Sequence, residues 1–191
     1  MPEVFATAPL TPDRWGDFET VLGASGVSGC WCMYWLTAGS ATFRDGAKGG
    51  SEGANKAAFR AMVDRAPPGL LAYAGTEPVG WARVMPRAAH PGLDRSRFFR
   101  TDLPADGVWS LSCFRVRTGW RGRGLTRVLT EAALAFARTQ GGTWLEVYPT
   151  DTDARRSPQA VYTGVASTFR ALGFEEVQRL DPAKPMMRKA L

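Results

Sequence analysis

Histidine is almost missing from this sequence, and cysteine is scarce. His90 is the single histidine, and Cys30, Cys32 and Cys113 are the three cysteines. With so few of both residues the usual four-ligand zinc site is not expected, and no metal site is predicted. The odd cysteine count argues against a disulfide framework. No run approaches the roughly 18 consecutive apolar residues of a membrane span, and no basic start followed by an apolar stretch marks a signal peptide. A cytoplasmic location and no membrane partner are the expectations. Internal repeats, linkers and low-complexity segments are also lacking, so the 191 residues point to one domain over 1–191 with room for a sizeable core.

What is there is ordinary globular composition with a basic bias. Hydrophobic residues make up 45% and charged ones 22%, which suits a packed soluble domain. Lys and Arg number 24 against 18 Asp and Glu, and that excess admits an anionic partner. The arginines are scattered except around 115–127, so a phosphate-bearing cofactor explains them better than a nucleic-acid face.

The organising stretch runs from Trp109 to Arg138 and reads as a strand, a basic glycine turn and a long amphipathic helix. In the helix Leu125, Val128, Leu129, Ala132 and Phe136 recur at three- and four-residue spacing, which predicts the face laid on a sheet, with Arg127, Thr130, Glu131 and Arg138 on the other. The preceding Arg121-Gly122-Arg123-Gly124 supplies two residues without Cβ, so several N–H groups can approach an anion at the helix N-terminus. In the strand, Trp109, Leu111 and Cys113 share one parity and Phe114 and Val116 the other. Either a β-bulge between Cys113 and Phe114 keeps both sets on the core side, or the strand is buried on both faces. A bulge would bend the strand from its parallel neighbour and open a slot where an extended, amide-rich ligand could pair.

Around this stretch the chain predicts a first strand at 3–7, a helix from Thr11-Pro12-Asp13 to Leu22, and a glycine-rich mobile loop over 38–55, a candidate lid. A helix over 55–65 with Ala58, Phe59 and Met62 inward follows, then a β-hairpin over 70–85 and a long crossing loop over 86–107. A strand at 143–148 is expected to lie parallel to the central one through a right-handed crossover. The last elements are a helix capped by Thr163 with Val165, Phe169 and Leu172 inward, its stop at Gly173, and two strands near 174–180 and 185–190.

The loop Arg121-Gly122-Arg123-Gly124-Leu125-Thr126 resembles the R/Q-x-x-G-x-G/A pyrophosphate loop of the GCN5-related N-acetyltransferase (GNAT) family, with Thr126 in the place of the last glycine or alanine. Trp144-Leu-Glu-Val-Tyr148 resembles the next strand of that fold and Phe169-Arg-Ala-Leu-Gly-Phe174 its final helix and turn. The resemblance implies an α/β fold, a mixed and splayed central sheet flanked by helices. It implies acetyl-CoA as donor, a small-molecule or protein amine as acceptor, and it is compatible with a homodimer. Backbone groups of Phe114 and Val116 would pair with the pantetheine arm, and amides of Arg121, Gly122, Arg123, Gly124, Leu125 and Thr126 would hold the pyrophosphate.

Acetyl transfer requires a neutral amine, proximity, and stabilisation of the leaving thiolate. The family's usual tyrosine acid is replaced here by Phe169, and no carboxylate stands at Ser110, Leu111 or Ser112. The catalytic candidates are therefore Glu146 as base, or else as a carboxylate tying down an arginine or backbone group, and Tyr162 as substitute acid, or else as a packing residue. Trp31, Tyr34 and Trp35 either pack in the core or line an acceptor pocket where an aromatic face holds an ammonium group. Loss of the tyrosine leaves a second reading, a non-catalytic acyl-CoA-binding module.

Overall fold

The computed structural model describes residues 4–26, 29–36, 51–154, 156–158 and 160–191. Seven strands among them form one mixed sheet: β1 (Phe5–Pro9), β2 (Gly69–Ala74), β3 (Glu77–Pro86), β4 (Val108–Val116), β5 (Trp144–Val147), β6 (Glu175–Arg179) and β7 (Pro185–Ala190). Their order across the sheet is β1-β2-β3-β4-β5-β7-β6, antiparallel except for the parallel β4–β5 pair. On one face lie α1 (Trp15–Leu22) and α2 (Ser51–Val63), burying Phe18, Val21, Phe59 and Val63 against Leu71 and Trp81. The short α3 (Pro91–Asp94) sits in the connection from β3 to β4. On the other face α4 (Leu125–Thr139) and α5 (Ala166–Ala171) cover Leu70, Ala82, Val84, Leu111 and Phe114. The expected mixed sheet with flanking helices is the observed architecture. None of the described helices is long and apolar enough to cross a membrane.

Local chemistry explains most boundaries and several departures from the sequence pattern. The stripe of α4 that reaches full burial is Leu125, Leu129, Ala133 and Ala137, while Val128, Ala132 and Phe136 are only half-buried. Small alanines let the helix approach the sheet closely, so the seam is rotated towards them and away from the larger side chains. Thr130, expected outside, is buried and returns its hydroxyl to the Thr126 carbonyl at 2.7 Å, which satisfies it within its own helix. At α5 the N-cap is Val165 with no side-chain cap, so Thr163 does not have the expected role. Gly173 stops that chain segment with φ +78°, a conformation favourable for glycine. The first strand and second helix are displaced from 3–7 to Phe5–Pro9 and from 55–65 to Ser51–Val63. Residues 38–50 of the expected lid lie outside the described residues.

The strand β4 carries the feature that positions the site. It pairs with β5 only from Val108 to Leu111. Arg83 of β3 faces Cys113 while Val84 faces Leu111, so Ser112 is the extra residue of a β-bulge. Trp109, Leu111, Phe114 and Val116 therefore all meet the core under α4, whereas Cys113 joins the opposite face beside Trp81. The bulge falls one residue before the expected place because Cys113 is small and tolerates either face.

Candidate active site

Beyond Leu111 the two parallel strands separate, and a cavity of about 1230 Å³ opens along the freed edge of β4. One end is the glycine turn. Gly122 and Gly124 have φ of +77° and +82°, and a Cβ added at either would meet nothing within 4 Å. Only glycine takes this backbone without cost, and the empty space over it leaves the amides reachable. Gly124 is also the N-cap of α4, so the positive end of a 15-residue helix faces the same space. Arg121 and Arg127 stand along this end, together with Thr126, and Arg156 also lines the cavity. The Arg123 guanidinium lies 4.7 Å from the Trp120 ring, a cation–π contact at the rim.

The middle of the cavity runs along Phe114 and Val116. Because the Arg117 amide donates to the Val79 carbonyl of β3, the pair Gly80–Val116 is a non-hydrogen-bonded one, and the main-chain groups of Val116 and Phe114 point away from β3 into the slot. The Phe114 amide is already engaged there: it donates to the Tyr162 carbonyl at 2.6 Å. The Val116 carbonyl accepts from Arg121 Nε at 3.3 Å. Of the two expected pantetheine partners, Phe114 thus has its N–H taken by the chain's own Tyr162.

The other end is walled by Cys30, Cys32, Tyr34, Trp35, Arg83, Cys113 and Tyr162. Tyr34 packs edge-on to Trp35 at 4.6 Å and to Tyr162 at 6.4 Å. Burial, together with the nearby Cys113 and Tyr34, pushes the Tyr162 hydroxyl far up, so it stays protonated across the neutral range. Trp35 is 6% exposed, and its Nε1 has no partner among the described residues. Trp31 does not reach the cavity: it is 2% exposed and stacked on Trp15 at 6.1 Å, in the core between α1 and α2. Its backbone and that of Cys32 are left-handed, with φ of 44° and 57°. This turn swings the Trp31 ring inward and delivers the Cys32 carbonyl to Arg83 Nη1.

Glu146 is likewise absent from the cavity wall. Fully buried in β5, it accepts from Arg87 Nη1 at 2.8 Å and from the Tyr148 hydroxyl through one oxygen, and from Arg188 Nε at 2.6 Å through the other. Tyr148 is joined in turn to Ser110 Oγ at 2.6 Å. Both oxygens are thus occupied by two guanidinium groups and a phenol, and the carboxylate is not part of the cavity lining. The structure therefore corrects the expected base to a strap across β4, β5 and β7. His90 is fully buried too. Its Nδ1 lies 3.1 Å from the Pro86 carbonyl, which can only accept, so Nε2 is the unprotonated nitrogen and accepts a hydrogen bond from the Ser112 hydroxyl at 3.0 Å. Ser112 Oγ accepts in turn from Arg83 Nε at 3.0 Å. Burial above all, and then the neighbouring Arg83, pushes the His90 pKa well below its ordinary value.

Sequence reading passed over Arg83, Arg115, Trp120 and Arg156, all of which line the cavity. The signal for Arg83 was a charge inside the otherwise apolar run from Val79 to Met85. Among the described residues no group of three or more metal-ligating side chains is present.

The profile of the Acetyltransferase (GNAT) family matches residues 33–159. No curated protein matches the chain. Solved structures do. An acetyltransferase from Thermus thermophilus is 19% identical, with all of both chains covered and a TM-score of 0.53. The PaiA N-acetyltransferase from Thermoplasma acidophilum, in complex with coenzyme A, is 11% identical over 98% of this chain and 99% of its own, with a TM-score of 0.51. The yncA protein of Salmonella typhimurium, with its cofactor acetyl-CoA, is 11% identical over 98% of this chain and 94% of its own, with a TM-score of 0.56. The family match spans about two thirds of the sequence: the chain belongs to the GNAT family of acetyltransferases.

Proposed function

We propose, with that membership as premise, that residues 1–191 act as one domain transferring the acetyl group of acetyl-CoA to an amine on a small molecule or an exposed protein amine. The observation that carries this reading is the continuity of the cavity, from the glycine turn through the splay of β4 to the aromatic end. The turn fits a pyrophosphate, since its open glycines, its helix N-terminus and the neighbouring Arg121 and Arg127 all favour an anion. Two of the solved structures named above hold coenzyme A or acetyl-CoA.

Acetyl-CoA would supply the acetyl group as a thioester. The residues' own tasks are then few. Amides from Arg121 to Thr126 hold the diphosphate, and Val116 main-chain groups pair with the extended arm. For Phe114 to pair likewise, its bond to the Tyr162 carbonyl must open. As the C–N bond forms and the C–S bond breaks, the thiolate needs a proton. The Tyr162 hydroxyl, protonated and on the cavity wall, is the donor in this reading. No Asp, Glu or His lines the cavity among the described residues, so the amine gives its proton to solvent water. Tyr34 and Trp35 flank the acceptor.

The test combines an assay of coenzyme A release over a panel of amines with calorimetry. Gly124→Val should weaken acetyl-CoA binding at least tenfold, because a branched side chain would occupy the open space at φ +82°, while the protein remains folded. Unchanged affinity removes the loop from the reading. Tight acetyl-CoA binding with no turnover on any amine makes the protein a non-catalytic acyl-CoA-binding module.

A further inference from the structure

Five arginines line the cavity, Arg83, Arg115, Arg121, Arg127 and Arg156, and among the described residues no carboxylate does. Arg121, Arg127 and Arg156 are exposed, and Arg115 is half-buried with no partner for its Nε among the described residues. Arg83 is the most deeply enclosed. It projects from the middle of β3 on the face it shares with Cys113, at the aromatic end, and is 1% exposed. A buried guanidinium is costly to desolvate and is almost always matched by an anion. Here its Nε donates to Ser112 Oγ and its Nη1 to the Cys32 carbonyl, both neutral acceptors. Neither Asp nor Glu pairs with it, and Nη2 has no partner, among the described residues. His90, behind Ser112, is held neutral and adds no charge.

The arrangement is preorganised. Ser112 is placed by the bulge of β4, the Cys32 carbonyl by two consecutive left-handed residues, and such non-glycine conformations persist only where the surroundings hold them. Together they fix the planar guanidinium through Nε and Nη1 and leave Nη2 as its remaining donor, in a residue that lines the cavity. A fixed guanidinium nitrogen is suited to an oxyanion, and a single positive charge matches a monoanion.

We propose that the acceptor is an amine that also carries a carboxylate, and that Arg83 binds this carboxylate through Nη2 to set the amine against the thioester. The inference rests on the N-acetyltransferase reading and narrows its substrate class. It also accounts for a wall without acidic side chains: a site for polycationic amines would need carboxylates, and this one would repel them. The nearby guanidinium further favours the neutral, nucleophilic form of the amine.

The experiment compares initial rates of coenzyme A release for matched triplets: an amino acid, its carboxamide, and the decarboxylated amine. The acid should lead both neutralised partners by about ten- to a hundredfold in kcat/KM, the range expected of one hydrogen bond to a charged group. Arg83→Gln should abolish this preference and leave the KM for acetyl-CoA unchanged, while Arg83→Lys should retain part of it. Equal rates across the triplets, or a preference for the decarboxylated amine, overturn the inference and leave the acetyltransferase reading standing. A preference that survives in a folded Arg83→Gln protein overturns the assignment to Arg83. If no amine turns over while acetyl-CoA binds, both fall together. Should the glutamine variant fail to fold, the wild-type triplets still decide whether the carboxylate is read.

Discussion

Arg83 and Arg87 stand four residues apart, both almost out of solvent at 1% and 3% exposure, yet their surroundings are opposite. Arg87 is closed in by charge: Glu146 at 2.8 Å, Asp94 at 2.7 Å, and the Tyr148 hydroxyl at 3.0 Å. Arg83 ends on two neutral oxygens. The closed cluster lies where β4 and β5 are still paired, with Glu146 opposite Ser110 and opposite Arg188 in β7. The open one lies just past the bulge, where the strands have parted. The lesson is that burial alone does not mark a functional ion. A buried ion whose charge is already balanced holds strands together, and one left unbalanced beside a cavity awaits a partner.

Breaking the closed cluster should have the largest effect. Glu146→Ala leaves the buried Arg188 without its anion and Arg87 with Asp94 alone, and should cost about 3–5 kcal/mol of stability, read from urea unfolding. Glu146→Gln keeps the shape and should recover part of that. A variant of wild-type stability whose kcat collapses would restore Glu146 as a base and dissolve the contrast between the clusters.

On the open side, Tyr162→Phe keeps the ring and removes only the hydroxyl. A fall in kcat of about a hundredfold is expected, within the usual worth of a general acid, with acetyl-CoA affinity retained. A loss under about threefold would make Tyr162 packing and leave thiolate protonation to water.

The smallest effect sharpens the open cluster from behind. His90 is neutral in the fold because burial and Arg83 depress its pKa, so as pH falls through the unfolded value of about 6.5 the unfolded chain binds a proton that the native one refuses. Stability is therefore complete above that pH and declines below it, by at most about 1.4 kcal/mol per pH unit. His90 is the only histidine. The carboxyls held low by arginines, Asp151 at about 2 and Glu176 below its usual range, do not titrate in the same interval. Urea midpoints from pH 7.5 to 5 should slope in the native chain and flatten in His90→Asn; a flat native profile would mean that His90 accepts its proton in place.

Legibility in the sequence followed the range of the interaction. The glycine turn could be read because its backbone demands residues without Cβ and its neighbours are consecutive. Alternation along β4 revealed a break in phase, though not its residue, since Cys113 is indifferent to side. The fate of Glu146 was hidden because its arginines are 59 and 42 residues away, and pattern within a window cannot see them. Trp31 and Trp35 look alike as letters; only the left-handed turn between the core and the cavity separates them. Arg83 was visible as a charge in an apolar strand, but its lack of a counter-ion is a property of three-dimensional neighbours.

The extra residue in β4 makes this strand sensitive to length in a way no substitution probes. Deleting Ser112 would restore regular alternation: Cys113 would follow Leu111 directly, still opposite Arg83, and Phe114 and Val116 would keep their side of the sheet. What a single lost codon would remove is the bend, so that β4 would run on alongside β5 and the slot between them would close. Substitutions at Ser112 can be graded by hydrogen bonding; its removal cannot. Insertions and deletions should therefore be tolerated in the loops flanking β4 and excluded between Leu111 and Phe114, a pattern that a length-scanning library read by acetyl-CoA retention would display directly.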